Sequence, residues 1–308
     1  MRKAKAPMKD LFTRTGNWYK GNLHMHTTIS DGRKTPEEAK EIYQKAGYDF
    51  IAITDHRKPG KSGTYKNMLL LSGAEWDYGN NKDYPVYHIL AIGTENDLDL
   101  PRYYANGELP NGNTILPQEI INRINQSGGL AVLAHPSWSV MNPEELFSME
   151  GIAGAEIFNS VSEAPWNANR ADSSQYIDIW ASKGRYIPCT AADDSHWYAG
   201  EQTKSYIMAL AGELSEKSIL EAIRSGNFYA SQGPEFNRIS YNKEQVVVQC
   251  SKDVERMIFY SNSVWTEGRV IERPDGKGIY RIADSDRYIR IELIDAQGKR
   301  AWCSPFPV

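Results

Sequence analysis

Residues 22–56 read NLHMHTTISDGRKTPEEAKEIYQKAGYDFIAITDH. The stretch opens on His24-Met25-His26, passes Asp31 in a Ser-Asp-Gly turn and closes on Thr54-Asp55-His56 after an apolar run. Successive side chains of an extended chain point to opposite faces, so His24 and His26 share a face and can be offered to one metal ion. Between the motifs, Thr35-Pro36-Glu37-Glu38 is a helix start. Thr35 caps it, Pro36 takes the first helical position and Glu38 completes a capping box. The helix stops at Gly47, a natural left-handed cap. Residues 49–54, DFIAIT, then read as a short strand buried on both faces. One strand–helix–strand unit thus carries a metal-type motif at the end of each strand.

The pattern continues outward. Residues 68–72 lead to Glu75-Trp76, and residues 86–92 form a predicted strand with His88 inside it. A helix is predicted over 117–126, with Ile120, Ile121 and Ile124 on one side. Residues 130–134 run into His135-Pro136, and 154–159 (GAEIFN) make a further strand followed by a helix over 171–182. Residues 186–190 lead into Asp193-Asp194-Ser195-His196, and a strand at 205–210 with a helix at 215–225 closes the series. About seven strands alternating with helices predict an α/β fold with a parallel, barrel-like sheet. In such barrels the chemistry sits at the C-terminal strand ends, where these motifs fall. Residues 97–113, rich in Gly, Pro and Asn, predict a long loop and a candidate lid. From Pro234 the texture changes to short alternating strands at 245–250, 256–260, 278–282 and 288–294, separated by polar turns. The expected organisation is a barrel over residues 1–233 and a small all-β, sandwich-like module over 234–308.

The 308 residues carry a net charge of -4, with 41% hydrophobic and 24% charged residues, the texture of a soluble globular protein. That balance argues against a long nucleic acid or a membrane surface as partner, since either calls for a basic face. The N-terminus is basic but lacks the apolar stretch of a signal peptide. No run approaches the ~18 apolar residues of a membrane span. Cys189, Cys250 and Cys303 are odd in number and widely spaced. They are expected to be reduced, buried thiols of a cytoplasmic protein and not metal ligands.

All six histidines stand at or beside predicted strand ends. Singly, each has a plain reading: His88 as a core histidine, Glu75 as a rim carboxylate, Asp31 as a turn residue. Together with Asp31, Glu75 and Asp194 they make nine imidazole or carboxylate groups converging on one barrel mouth. So many polar groups in one cleft are costly to desolvate unless divalent cations neutralise them. Of Asp193 and Asp194, the spacing selects Asp194, which shares a face with His196.

In this order, HxHTxxSDG, TDH, a Glu after a strand, a strand histidine, HP and a late DxH resemble the PHP (polymerase and histidinol phosphatase) superfamily. The helix start, AGYDFIAITDH at 46–56 and FYASQGP at 228–234 are most similar to its carbaryl-hydrolase-like (CehA/McbA) branch. The resemblance spans essentially the whole chain and is far more specific for fold and metal site than for substrate. It implies a distorted (β/α)7 barrel holding three divalent ions. The first would take His24, His26, Glu75 and Asp194. The second would share Glu75 as a bridging carboxylate and add His88 and His135. The third would take Asp31, His56 and His196; many members carry histidine where Asp31 stands, and aspartate is a familiar variant. Ligation by nitrogen and oxygen without thiolate suits zinc, manganese or iron.

The resemblance further implies a phosphoesterase in which a metal-bridging hydroxide attacks a small phosphomonoester, of nucleotide or sugar phosphate type, at a trinuclear site. Hydrolysis of a phosphodiester or short oligonucleotide, or of a carboxylic ester or carbamate, is the alternative. A non-catalytic, metal-bound scaffold is a third. Candidates for the chemistry and for substrate binding are Asp55, Arg57 and Asn159. Asp55 either orients His56 or is a turn aspartate. Arg57 either pairs with phosphate or is an exposed loop cation. Asn159 either donates to substrate or caps its strand. Trp138, on a loop, is a candidate pocket wall, whereas alternation turns Trp76 and Trp197 toward the core.

Overall fold

The structure, a computed structural model, describes residues 7–13, 15–79, 86–100, 117–165 and 167–308. The helix read from the capping box spans Pro36–Lys45, and both reciprocal cap bonds between Thr35 and Glu38 form. Its buried face is Ala39 and Tyr43. Further helices span Pro117–Gln126, Pro143–Phe147, Ser174–Ser182 and Glu216–Arg224. The candidate lid at 97–113 lies mostly outside the described residues. No helix among the described residues is long and apolar enough to cross a membrane.

The strands around the histidines belong to two sheets. A five-stranded sheet runs Cys189–Ala192, Ile152–Asn159, Leu130–Leu133, Tyr87–Ile92, Gly73–Tyr78. A larger, eleven-stranded sheet holds Tyr206–Ala211, Asn17–Asn22, Phe50–Ala52 and Met68–Leu71 side by side. The expectation of an all-parallel barrel needs correcting here. Tyr87–Ile92 is antiparallel to both of its neighbours. No crossover helix is therefore needed between it and Gly73–Tyr78, since antiparallel neighbours can be joined directly. Nor do the ladders close into a barrel. Two seams remain, and at each the sheets meet through one isolated parallel bridge, Met25 to Ser195 and His56 to Glu75. Both bridges involve or adjoin candidate ligands, so the ring of strands is drawn together at the site end.

The C-terminal strands are continuous with the large sheet. Arg300–Trp302 pairs with Phe228–Ser231, aligning Trp302 with Ala230 and Ala301 with Ser231. A four-stranded sheet of Lys9–Asp10, Phe236–Tyr241, Gln245–Cys250 and Lys277–Arg281 faces the far part of the large sheet. Between them lies one apolar core that includes Ile239, Val248, Phe259, Tyr280, Ile291 and Leu293. Lys9–Asp10 adds a strand to this region, pairing Lys9 with Tyr241.

Candidate metal centre

His24 and His26 lie just past Asn17–Asn22, both fully buried, while Met25 between them enters the apolar cluster with Tyr43 and Ile51. The period-two argument from His-x-His therefore describes the geometry. His56 follows Phe50–Ala52, Glu75 lies on Gly73–Tyr78, His88 on Tyr87–Ile92, and His135 follows Leu130–Leu133. Asp194 and His196 follow Cys189–Ala192. The nine residues named from the sequence come together as three overlapping groups, in each of which the ligand atoms lie within 4.8 Å of one another.

The first group is compact. His24 Nε2 is 3.2 Å from His26 Nε2. Glu75 Oε2 is 3.3 and 3.1 Å from these two nitrogens, and Asp194 Oδ1 is 3.1 Å from each. Asp194 Oδ1 is buried without a hydrogen-bond partner. Four atoms at such spacings surround a point roughly 2 Å from each, the distance at which imidazole nitrogen and carboxylate oxygen bind zinc. The donor set fits a divalent ion. Glu75 turns its other oxygen, Oε1, to the second group, 2.9 Å from His88 Nδ1 and 3.3 Å from His135 Nε2. The third group is looser and faces solvent: Asp31 Oδ2 is 3.5 Å from His196 Nε2 and 3.7 Å from His56 Nε2, and Asp31 is half exposed. His26 joins this group as well.

Mutual attraction outweighs burial at these groups. Burial alone would make His24 less basic, but Asp194, Glu75 and Glu156 hold its imidazole well above the ordinary range. His56 and His196, also disfavoured as cations by burial, are raised to about 9 by the carboxylates around them. Desolvation would raise Glu75, yet His24, His88 and His56 hold it well below the usual carboxylate range. Asp194 is lowered in the same way, against its burial, by His24, His26 and His196.

Two of the nine, His135 (φ 27°) and Asp194 (φ 50°), occupy the left-handed region, and Arg57 (φ 54°) does too. Non-glycine residues there cost of order 1–2 kcal/mol each, strain that clusters at functional sites. The turn at Asp194 also separates it from Asp193. Asp193 points the other way, accepting from the Tyr43 hydroxyl and the backbone N–H groups of Thr203, Lys204 and Ser205. Alternation thus selected the aspartate that faces the histidines, but the backbone there is not extended.

The supporting carboxylates are placed differently from expectation. Asp55 does not contact His56 in the described hydrogen bonds. It accepts from Thr27 N–H and Oγ and from Ser30 N–H and Oγ, pinning the loop after His26. Ser30 Oγ lies 3.4 Å from His26 Nδ1. His56 Nδ1 lies instead 3.2 Å from Asp77 Oδ1, and Arg57 donates to the other oxygen of Asp77 at 2.8 Å. Asn159 is fully buried, donating to Glu156 Oε2 and Asp194 Oδ2 and accepting from Ser162. Its amide nitrogen is turned to these two carboxylates and its oxygen caps the turn that follows the strand, the second of its two expected roles.

Glu156 was not singled out in the sequence, yet it ties three parts of the centre together. It lies 2.8 Å from His24 Nδ1, and it accepts from His135 N–H and from Asn159. The available signal was a charged residue inside the apolar run GAEIFN, which a strand buried on both faces tolerates only with partners. Asp77, two residues beyond Glu75 on the same strand face, was likewise missed. Trp138 stands edge-on to His135 and His88, its ring centre 4.8 and 5.5 Å from theirs. Trp76 is buried in the core, and Trp197 packs into the cluster of Met25 and Tyr43.

No protein-family model matches the chain. Over 157 residues, 46% of this chain and 82% of the relative, it is 25% identical to uncharacterized protein MJ1587 of Methanocaldococcus jannaschii. A stretch of 81 residues, 26% of this chain, is 38% identical to the DNA polymerase/3'-5' exonuclease PolX of Bacillus subtilis, matching 14% of that protein. Among solved structures, a two-domain protein from Bacteroides vulgatus containing a predicted PHP-like metal-dependent phosphoesterase aligns over 100% of this chain and 99% of its own. Its TM-score is 0.53 and its sequence identity 14%, so the likeness is one of fold. The α/β chain thus shares the fold of that two-domain protein, and nine imidazole and carboxylate side chains that could hold metal ions gather in it.

Proposed function

We propose that this protein is a cytoplasmic metal-dependent hydrolase of phosphate esters, acting on small phosphomonoesters of nucleotide or sugar phosphate type. The observation that carries the reading is Glu75. One of its oxygens faces His24 and His26 and the other faces His88 and His135, so Glu75 would serve ions held at both groups. The group of Asp31, His56 and His196 supplies a third position, and the absence of thiolate suits zinc, manganese or iron. Ions bound there acidify water and neutralise charge on phosphoryl oxygens.

The chain's own groups set the geometry. Glu156 Oε1 lies 2.8 Å from His24 Nδ1, which turns Nε2 of that ring to the centre. The carbonyl of Asp194 fixes His196 likewise, at 2.9 Å from its Nδ1. Ser139 holds Nδ1 of His135 at 3.0 Å. Asp31, half exposed, marks the open side through which an ester would approach. Trp138 offers an apolar wall for the leaving group beside His88 and His135. Arg57 adds positive charge at the rim while tied to Asp77, and Asn159 and Asp55 hold the ligand sphere from behind. The three cysteines are buried and unpaired, which fits a reducing compartment.

Phosphate release by chelator-treated protein reconstituted with manganese, zinc or iron tests the reading. The substrates are nucleotides, sugar phosphates and one chromogenic monoester, with Glu75→Ala as control. Metal-dependent turnover is expected, falling to background in the variant together with its metal content. A metal-loaded protein silent on every monoester rejects the monoester reading. Turnover of short oligonucleotides would then favour phosphodiester hydrolysis, the second reading, which the similarity to an exonuclease-bearing polymerase supports.

A further inference from the structure

Rings stack outward from the buried ligands toward the mouth of the centre. The rings of His26 and His196 are 4.2 Å apart at 27°, and Tyr198 lies 5.1 Å from His196 at 29°. The Arg33 guanidinium sits 4.6 Å from the centre of the Tyr198 ring. Both partners are held in place by backbone bonds. Arg33 N–H donates to the His196 carbonyl at 3.1 Å, and Gly32 N–H donates to the Thr27 carbonyl at 2.9 Å. A Cβ at Gly32 would come within 2.5 Å of the His26 carbonyl, so the turn presenting Arg33 lies flat against the ligand strand. On the other side Glu201 accepts from His196 N–H and Tyr198 N–H, at 3.0 and 2.9 Å. Arg33 is exposed, and no described carboxylate pairs with its guanidinium.

An exposed planar guanidinium held over an aromatic ring is a preorganised receptor for a carboxylate or phosphate. The Arg33 guanidinium stacks on Tyr198, which in turn stacks on the candidate ligand His196, and Arg33 belongs to none of the three ligand groups. We infer that Arg33, carried on Tyr198, receives a second anionic group of the substrate, a carboxylate or second phosphate several bonds from the ester that is cleaved. The inference rests on the phosphoesterase reading and narrows its substrates to esters with an anionic tail.

The test compares plain and acid-tailed ligands on the metal-reconstituted protein. Binding of benzylphosphonate, 4-carboxybenzylphosphonate and 4-phosphonobenzylphosphonate is measured by calorimetry, and turnover of phenyl phosphate and 4-carboxyphenyl phosphate by phosphate release. Wild-type protein is expected to prefer the acid-tailed member at least about tenfold, the scale of a charge-assisted pair at a partly exposed site. The preference should collapse to near unity in Arg33→Ala and survive in part in Arg33→Lys, whose ammonium lacks the planar fork. The carboxylate and phosphonate arms show which anion is favoured. Equal binding of plain and tailed ligands by the wild type, or a preference unmoved in Arg33→Ala, overturns the assignment while leaving the phosphoesterase reading standing. If no phosphonate binds and no aryl phosphate turns over, that reading falls and this one with it.

Discussion

Glu156 shows how much of the centre depends on a side chain that cannot reach a substrate. Buried at 1% exposure, it meets His24, the backbone of His135 and Asn159. Replacing it with glutamine keeps the volume but removes a charge and turns an acceptor into a donor toward one of these groups. Glu156→Gln is predicted to weaken metal affinity about 10–100-fold, the usual cost of losing such a partner. Competition against a chromogenic chelator measures this, and wild-type affinity in the variant would show that Glu156 is dispensable. Protonation makes a second prediction at this scale. His56 and His196 bind a proton more tightly folded than unfolded, with pKa values raised to about 9. The stability they contribute to the metal-free protein is therefore complete below about pH 6.5 and is lost as pH rises toward 9. Melting of chelator-treated protein should fall across that window. A saturating divalent cation should remove the fall, because it takes the place of the protons. A flat profile in chelator would mean the imidazoles are neutral in the folded state.

The helix Pro36–Lys45 links the sequence's clearest local signal to the site. Its capping box and Pro36 fix where it starts, and that register places Tyr43 on the buried face. The Tyr43 hydroxyl donates to Asp193 Oδ2 at 2.7 Å and lies 2.6 Å from Ser195 Oγ. Those two residues flank Asp194, so the helix braces the turn that aims a candidate ligand. Tyr43→Phe removes only the hydroxyl and leaves Asp193, whose carboxyl burial already raises to about 6, short of a donor. The expected loss of stability is about 1–3 kcal/mol, read from urea unfolding. Metal affinity should drop as well, because the strained Asp194 turn loses its support. Lost stability with unchanged affinity would confine Tyr43 to a packing role.

Across the whole molecule, the C-terminal strands and the candidate metal centre share both a sheet and a core. Trp302, fully buried, stacks on Phe158 at 5.6 Å, two residues from Glu156 along the strand that also ends in Asn159. Arg290, fully buried, makes a two-pronged pair with Asp178 of the helix Ser174–Ser182. These contacts predict one cooperative calorimetric transition for the full chain rather than separate melting of residues 1–233 and 234–308. Trp302→Ala should cost about 3–5 kcal/mol, the range for deleting a buried aromatic ring, and should lower the single transition as a whole. Two resolved transitions, of which the variant shifts only one, would establish independent units.

The candidate site was far more legible in the sequence than the path of the sheets. His24, His26, Asp31, His56, Glu75, His88, His135, Asp194 and His196 could be named because strand-end motifs depend on local spacing, and the chain brings them into three ligand groups. The capped helix and the buried strand after it were readable for the same reason. What the sequence left open follows from forces between distant segments. Strand direction is set by which neighbour satisfies a backbone, so Tyr87–Ile92 reads the same whether parallel or antiparallel. Glu156 and Asp77 carry no motif, and only tertiary approach places them behind His24 and His56. Arg33 and Tyr198, 165 positions apart, form a stack that no local pattern announces. Local spacing named the candidate ligands; long-range pairing and burial decided which side chains support them, and in what geometry.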